Sequence, residues 1–135
     1  MSLRLFGVIV AALVVAAGTG WCMGSSGRSA AERERGSIEM RAEFAEARAL
    51  ILEGRVSVFL SNFGNAVQQF QQASQRTGGI QSRLRSLGQV EQASRLQIAI
   101  SSLGDAQRAA AGFDTTKAQA AADQALGALR AAAGN

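Results

Sequence analysis

The chain has 135 residues and a formal net charge of +4, with no proline, no histidine and one cysteine, Cys22. A single cysteine excludes an intramolecular disulfide, and the lack of histidine excludes imidazole-dependent catalysis and the usual zinc ligand sets. Without proline, and with abundant alanine, glutamine and arginine, most of the chain favours helix. The composition therefore predicts an all-α protein.

An apolar segment stands at the N-terminus, and two interpretations of it compete. Residues 5–24 carry no charge between Arg4 and Arg28. As a cleaved signal peptide, the segment would have Arg4 as its basic start and small residues around Ala17 for cleavage. As a transmembrane anchor, it has the roughly 20 residues that cross a hydrocarbon core, with Trp21 at the far interface. Because the uncharged run continues to that tryptophan, we favour the uncleaved anchor.

The same segment predicts a location. A short first apolar segment is ordinarily handled as an export signal, so we expect a single-pass protein of a bacterial inner membrane with its C-terminal domain in the periplasm. Basic residues flank both sides of residues 5–24, and Arg28, Arg33 and Arg35 favour the opposite orientation. Cleavage near Ala17 would give a secreted protein instead.

Residues 25–30 (SSGRSA) read as a short linker, and residues 31–135 as one helical domain. Two neighbouring rows of apolar residues at spacings of three and four predict a first helix with a wide buried face. The first row is Met40, Phe44, Ala47, Ile51 and Val58, and the second is Ala45, Ala49, Leu52, Val56, Phe59 and Phe63.

Three more helices follow. A turn at residues 61–65 precedes a second helix, whose unbroken apolar register predicts that it continues through Gly78 and Gly79 and stops at Gly88. A third helix is expected over residues 90–111. Residues 112–115 are expected to end the third helix, make a hydrophobic contact and cap the next helix. A fourth helix is expected over residues 116–132. Short connections predict antiparallel neighbours, hence a compact antiparallel bundle of about four helices.

The first of these turns carries a family resemblance over about residues 49–78. The residues concerned are small or aromatic ones at the expected helix crossing: Gly54, Phe63, Ala66, Phe70 and Ala73. Their spacing resembles a tetratricopeptide repeat, although Ser57 replaces an aromatic residue and Gly78 stands where proline is common. The resemblance implies a tetratricopeptide-like bundle that acts as a protein-binding scaffold.

No group of residues indicates catalysis. Glu39, Glu43 and Glu46 share one side of a helix, but arginines alternate with them, which is typical of a solvated face. No phosphate-binding glycine loop occurs, and serine has no histidine to activate it. We therefore predict no catalytic residue, no metal site, no cofactor and no small-molecule substrate.

Polar residues of the second helix form the predicted partner surface, which consists of Gln68, Gln72, Arg76, Arg83 and Arg85. The leading hypothesis is a membrane-tethered helical scaffold that binds an envelope protein or itself. One alternative is a secreted bundle that binds an apolar ligand. Another is a basic surface for nucleic acid or anionic lipid, and nucleic acid is disfavoured because no aromatic side chains accompany the arginines.

Overall fold

A computed structural model describes the backbone of residues 2–134 and the side chains of residues 31–134. It contains four helices, which are α1 (Ser2–Phe59), α2 (Phe63–Ser86), α3 (Val90–Ala111) and α4 (Thr115–Ala133). The described residues contain no strand, so the all-α prediction is confirmed. The chain divides into two compact units, residues 1–38 and residues 39–135.

The first unit holds the candidate anchor. Residues 5–24 lie outside the part of the chain whose side chains the structure describes. Residues 25–30, predicted as a linker, lie within α1. Their sequence has no proline, and each glycine costs a helix only about 1 kcal/mol relative to alanine. Among the described residues, no helix is both long enough and apolar enough to cross a membrane.

The second unit is an antiparallel four-helix bundle made of residues 39–59 of α1 together with α2, α3 and α4. Contacts join each helix to its neighbours in the chain, and α1 also reaches α4. The Arg55 side chain, late in α1, donates to Gln119 (3.0 Å) and pairs with Asp123 (3.0 Å) in the first half of α4. Between α2 and α3, the buried Gln81 amide donates to the Ala93 carbonyl at 2.9 Å. The predicted bundle of about four helices is therefore confirmed.

Small side chains dominate the core of this bundle. Phe70 is the largest fully buried residue, and it lies against the backbone of Gly54. Alanine buries little apolar area, but it lets helix axes approach closely, so these helices gain their stability from close contact. The buried alanines are Ala47, Ala66, Ala73, Ala93, Ala99, Ala106, Ala110, Ala118, Ala122, Ala125 and Ala132.

One predicted face of α1 is not buried. The first apolar row packs inward, with Ala47, Ile51 and Val58 fully buried. The second row is exposed or half-buried throughout, and Phe59 is 79% exposed. The prediction of a wide buried face was wrong, because α2 and α4 flank the first row and no described helix covers the second.

The three turns between helices have the same hydrogen-bond pattern. In each, a residue with positive φ follows the helix end, and the next residue donates its N–H to a carbonyl five residues back. The positive-φ residues are Ser61 (58°), Gly88 (76°) and Phe113 (58°). Gly88 was predicted to end α2. In the last turn Phe113 takes the left-handed position, and its neighbour Gly112 has φ −88°.

Side chains cap two of the following helices. Asn62 caps α2 by accepting from the Asn65 N–H, and Asp114 caps α4 by accepting from the Lys117 N–H at 3.0 Å. The backbone hydrogen bond from Lys117, aided by its side chain, lowers the pKa of Asp114 below that of an ordinary aspartate. The carboxylate that caps α4 is therefore ionised at neutral pH.

Substitution of two helical glycines by alanine should change the free energy of unfolding in opposite directions. A Cβ on Gly54 would lie 2.5 Å from Cε1 of the buried Phe70, so Gly54→Ala should lower the free energy of unfolding by about 1–3 kcal/mol. A Cβ on Gly78 would have no atom within 4 Å, so Gly78→Ala should raise it by about 0.5–1 kcal/mol. Urea unfolding followed by circular dichroism measures both, and equal effects would contradict the packing at Gly54.

Candidate functional site

The predicted partner surface on α2 is divided by the fold. Gln68, Gln72 and Arg85 are exposed, and within residues 31–134 Arg85 takes part in no ion pair. The two remaining arginines point to α1. Arg76 Nη2 lies 2.5 Å from Oε1 of Glu46, while Arg83 forms two ion pairs.

Arg83 is held between two carboxylates of α1. Its Nη2 lies 2.9 Å from Oε2 of Glu39, and its Nη1 lies 2.9 Å from Oε1 of Glu43. The hydrogen bond that Arg83 donates to Glu39, together with the charge of Glu43, raises the pKa of the Arg83 guanidinium above its ordinary value. The acids and two of the predicted surface arginines therefore neutralise one another along the α1–α2 contact, and they do not form a cluster of cations.

The helix-crossing residues lie together where α1 meets α2. Gly54, Ala66, Phe70 and Ala73 are buried. Phe63 is half-buried, and its ring meets the edge of Phe113 with centroids 5.2 Å apart. These are structural contacts of a close helix hairpin. The resemblance to a tetratricopeptide repeat, with the binding role it implies, stays a prediction.

A second surface, not predicted from the sequence, is a groove between α1 and α4 with a volume of about 1060 Å³. Its base is apolar, with buried Leu129 and Ala132 and half-buried Phe44 and Leu126. Residues of α1 from 40 to 55 form one wall, residues of α4 from 123 to 133 form the other, and Gln92 of α3 contributes from below. We call this surface the α1–α4 groove.

Arginines stand along the walls of the α1–α4 groove. Arg41, Arg48 and Arg55 recur every seventh residue on α1, and Arg130 stands on α4. Seven residues are nearly two helical turns, so these three guanidinium groups follow one side of α1 at intervals of about 10.5 Å. Ala45 and Leu52 lie between them and belong to the exposed second apolar row.

Polar contacts cross one end of the groove between α1 and α4. There, Arg55 bridges to Asp123, and the Gln119 amide donates to the Arg55 carbonyl at 2.8 Å. Towards the other end, Arg41, Arg48 and Arg130 form no ion pair with any described residue. Arg55 is therefore a structural tie between α1 and α4, while the other three arginines are available to a ligand.

A separate apolar patch lies at the end of the bundle where the α1–α2 and α3–α4 turns meet. Phe59, Leu60 and Phe113 are 79%, 67% and 73% exposed, and the Phe63 and Phe113 rings pack at right angles. We call this patch the turn patch. Exposed aromatic side chains of this kind are typical of contact surfaces, but Phe59, Leu60 and Phe113 carry no charge that would select a charged partner.

The side chains of these surfaces are suited to contacts with a ligand. Within residues 31–134, no three carboxylate or thiol side chains are arranged to hold a metal ion. The groove supplies guanidinium cations and apolar side chains, which can bind an anion attached to an apolar body. Its chemistry therefore suits recognition.

Comparison of the chain with protein-family models, with curated proteins and with solved structures gives no match. The groove has a signal in the sequence, the seven-residue spacing of Arg41, Arg48 and Arg55. Along the sequence these arginines alternate with acids, which is typical of a solvated face. The acids, however, lie on the side of α1 that faces α2.

The pairing of Arg83 with Glu43 should be measurable as a coupling between α1 and α2. In a double-mutant cycle of Arg83→Gln and Glu43→Gln, we expect the costs of the two single changes to sum to more than the cost of the double change, because each single change already removes the contact between Arg83 and Glu43. Arg83 keeps its pair with Glu39 in the Glu43→Gln variant, so the cycle isolates the contact with Glu43. The coupling should shrink in 1 M salt, which screens ion pairs. Arg85→Gln serves as the control and should show no coupling to Glu43→Gln.

Proposed function

We propose that this protein is a membrane-attached helical scaffold that binds a partner protein through its bundle and performs no catalysis. The observation that carries the proposal is the exposed second apolar row of α1. Apolar residues at helical spacing usually pack against another element, yet Leu52, Val56 and Phe59 have no such cover among the described residues. A partner protein would provide it.

The α1–α4 groove supports binding of a protein in preference to a small molecule. Small-molecule sites bury most of their ligand in a concave pocket. Here most of the lining residues are exposed or half-buried, and the groove has solvent along its length. Arginine beside apolar side chains is also the composition found at the centres of protein interfaces.

Residues 5–24 support membrane attachment through their composition. They are 20 uncharged residues that end close to Trp21, long enough for one membrane crossing. With this anchor in the inner membrane and the bundle in the periplasm, the partner would be another protein of the cell envelope or a second copy of this chain. The orientation rests on the export character of a short first apolar segment.

Cell fractionation tests the attachment. The full chain should sediment with membranes at its uncleaved mass and resist extraction by alkaline carbonate, because residues 5–24 would lie in the hydrocarbon core. Removal of residues 1–24 should move the bundle to the soluble fraction. A full chain that is soluble at its uncleaved mass would contradict the anchor, and a mature N-terminus near Gly18 would favour the secreted alternative.

Site-specific photo-crosslinking in cells tests protein binding. A photoreactive residue at Gly127, which is exposed in the α1–α4 groove, should give one discrete covalent adduct with a second protein. The same residue at Ser101, exposed on α3 and outside the groove, is the matched control and should give none. A third position, Phe113, reports on the turn patch.

The crosslinking outcomes separate the possibilities. An adduct from Gly127 but not from Ser101 supports a scaffold that binds through the groove. An adduct from Phe113 alone would keep the scaffold proposal and move the contact to the turn patch. Failure at both Gly127 and Phe113 would contradict protein binding, as would equal adducts from all three positions.

A further inference from the structure

We infer that the partner enters the α1–α4 groove as an amphipathic helix with acidic residues at seven-residue intervals, which pair with Arg41, Arg48 and Arg130. This inference rests on the proposed protein-binding function and adds the chemistry and the register of the bound segment. It is carried by the charge distribution, the length of the groove and the use of acids elsewhere in the chain.

Unpaired cations border the α1–α4 groove. Residues 31–134 contain six basic residues without an ion pair, and three of them border this one groove. With Arg55 and Asp123 added, the groove walls carry four arginines and one aspartate. Rows of cations beside an apolar base favour a ligand that is apolar on one side and anionic along its edges.

The length of the α1–α4 groove suits a helix. The wall from Arg41 to Arg55 extends about 21 Å along α1, at 1.5 Å per residue. That length matches a helix of about four turns, lying against α1 and α4 as a helix in a groove. A free fatty acid or lipid headgroup would leave most of this open surface exposed. A helical segment would cover it.

The spacing of the arginines sets the register of the bound helix. A helix that packs along α1 repeats its contacts about every seven residues, as the paired helices of a coiled coil do. Arg41 and Arg48 are seven residues apart, so two acids of the partner seven residues apart can meet both. Arg130, on the opposite wall, would meet a third acid on the other flank of the same helix. Arg55 is already paired with Asp123, so the part of the groove that would bind the helix ends there.

A second copy of this chain does not supply an acidic helix of this kind. The sequence has ten acidic residues, and seven of them are ion-paired within the described part of the chain. The other three are Glu32, Glu34 and Glu53. Glu32 and Glu34 alternate with Arg33 and Arg35. Glu53 also lies on α1, but no other unpaired acid stands seven residues from it. A second copy therefore presents no acidic row, and the partner is a different protein.

The test measures peptide binding to the full chain in nanodiscs of uncharged lipid, by fluorescence anisotropy. The probe is a synthetic helix of about 18 residues with a leucine row flanked by glutamates every seventh residue. Its isomer has the same composition with the glutamates on the side opposite the leucines. Nanodiscs without protein correct for binding to lipid.

Paired variants locate the site. Arg41→Glu with Arg48→Glu should weaken binding of the first peptide by about tenfold or more, because two attractive contacts become repulsive. Arg35→Glu with Arg85→Glu changes the net charge equally at exposed, unpaired arginines outside the groove and should change affinity little. Leu52→Asn should weaken binding, while Ile98→Asn, an equally apolar exposed position on α3, should not.

A charge exchange protects the test against misfolding. A third peptide with lysine in place of each glutamate should bind the Arg41→Glu, Arg48→Glu variant better than it binds the original chain, which a misfolded variant would not do. Equal binding of the two glutamate isomers would overturn the inferred register. Equal losses in both arginine pairs would overturn the site, since they would indicate attraction by net charge alone.

Two further probes distinguish other sources of the same chemistry. Laurate and vesicles that contain phosphatidylglycerol both present an anion on an apolar body. Saturable binding of either one that Arg41→Glu with Arg48→Glu abolishes, together with no binding of the peptide, would overturn the inference in favour of a lipid site. If the peptide fails while the Gly127 adduct persists in cells, the scaffold function stands and only the acidic helix is wrong.

Discussion

The close approach of α1 and α2 at Gly54 determines how the rest of the bundle is arranged. Only a residue without a side chain leaves room for the Phe70 ring at this crossing, since a Cβ there would lie 2.5 Å from the ring. With the two backbones so close, Glu39, Glu43 and Glu46 reach the arginines of α2. The acidic side of α1 therefore forms ion pairs with α2, and the arginines on its other side face α4.

Division of charge between two sides of one helix links the fold to the proposed function. Along the sequence, acids and arginines of α1 alternate and nearly cancel. In the bundle, the acids are neutralised on the α2 side, whereas Arg41 and Arg48 stand beside an apolar base on the α4 side. Desolvating an arginine costs free energy unless it meets an anion, so this groove favours an acidic partner over a neutral one.

Several elements of the bundle were predictable because they depend on local chemistry. Absence of proline and the periodic apolar rows predicted the helices, including the passage of α2 through Gly78 and Gly79 and the bounds of α3. The apolar register of α2 is buried from Ala66 to Leu84, whereas Leu87 is 60% exposed at the helix end. The left-handed residue of the last turn was not predictable, because Phe113 adopts it beside the glycine that usually would.

The sequence by itself determined that this protein is helical, that its helices are short-linked neighbours and that histidine chemistry is excluded, since these follow from residue types and spacing. Only the tertiary structure decided which apolar row of α1 is covered and which arginines are paired. Periodicity tells which side of a helix is apolar, but whether another helix packs there depends on crossing geometry. Because of that geometry, Arg76 and Arg83 of the predicted partner surface form ion pairs with α1. The unpaired arginines Arg41, Arg48 and Arg130 lie instead at the α1–α4 groove.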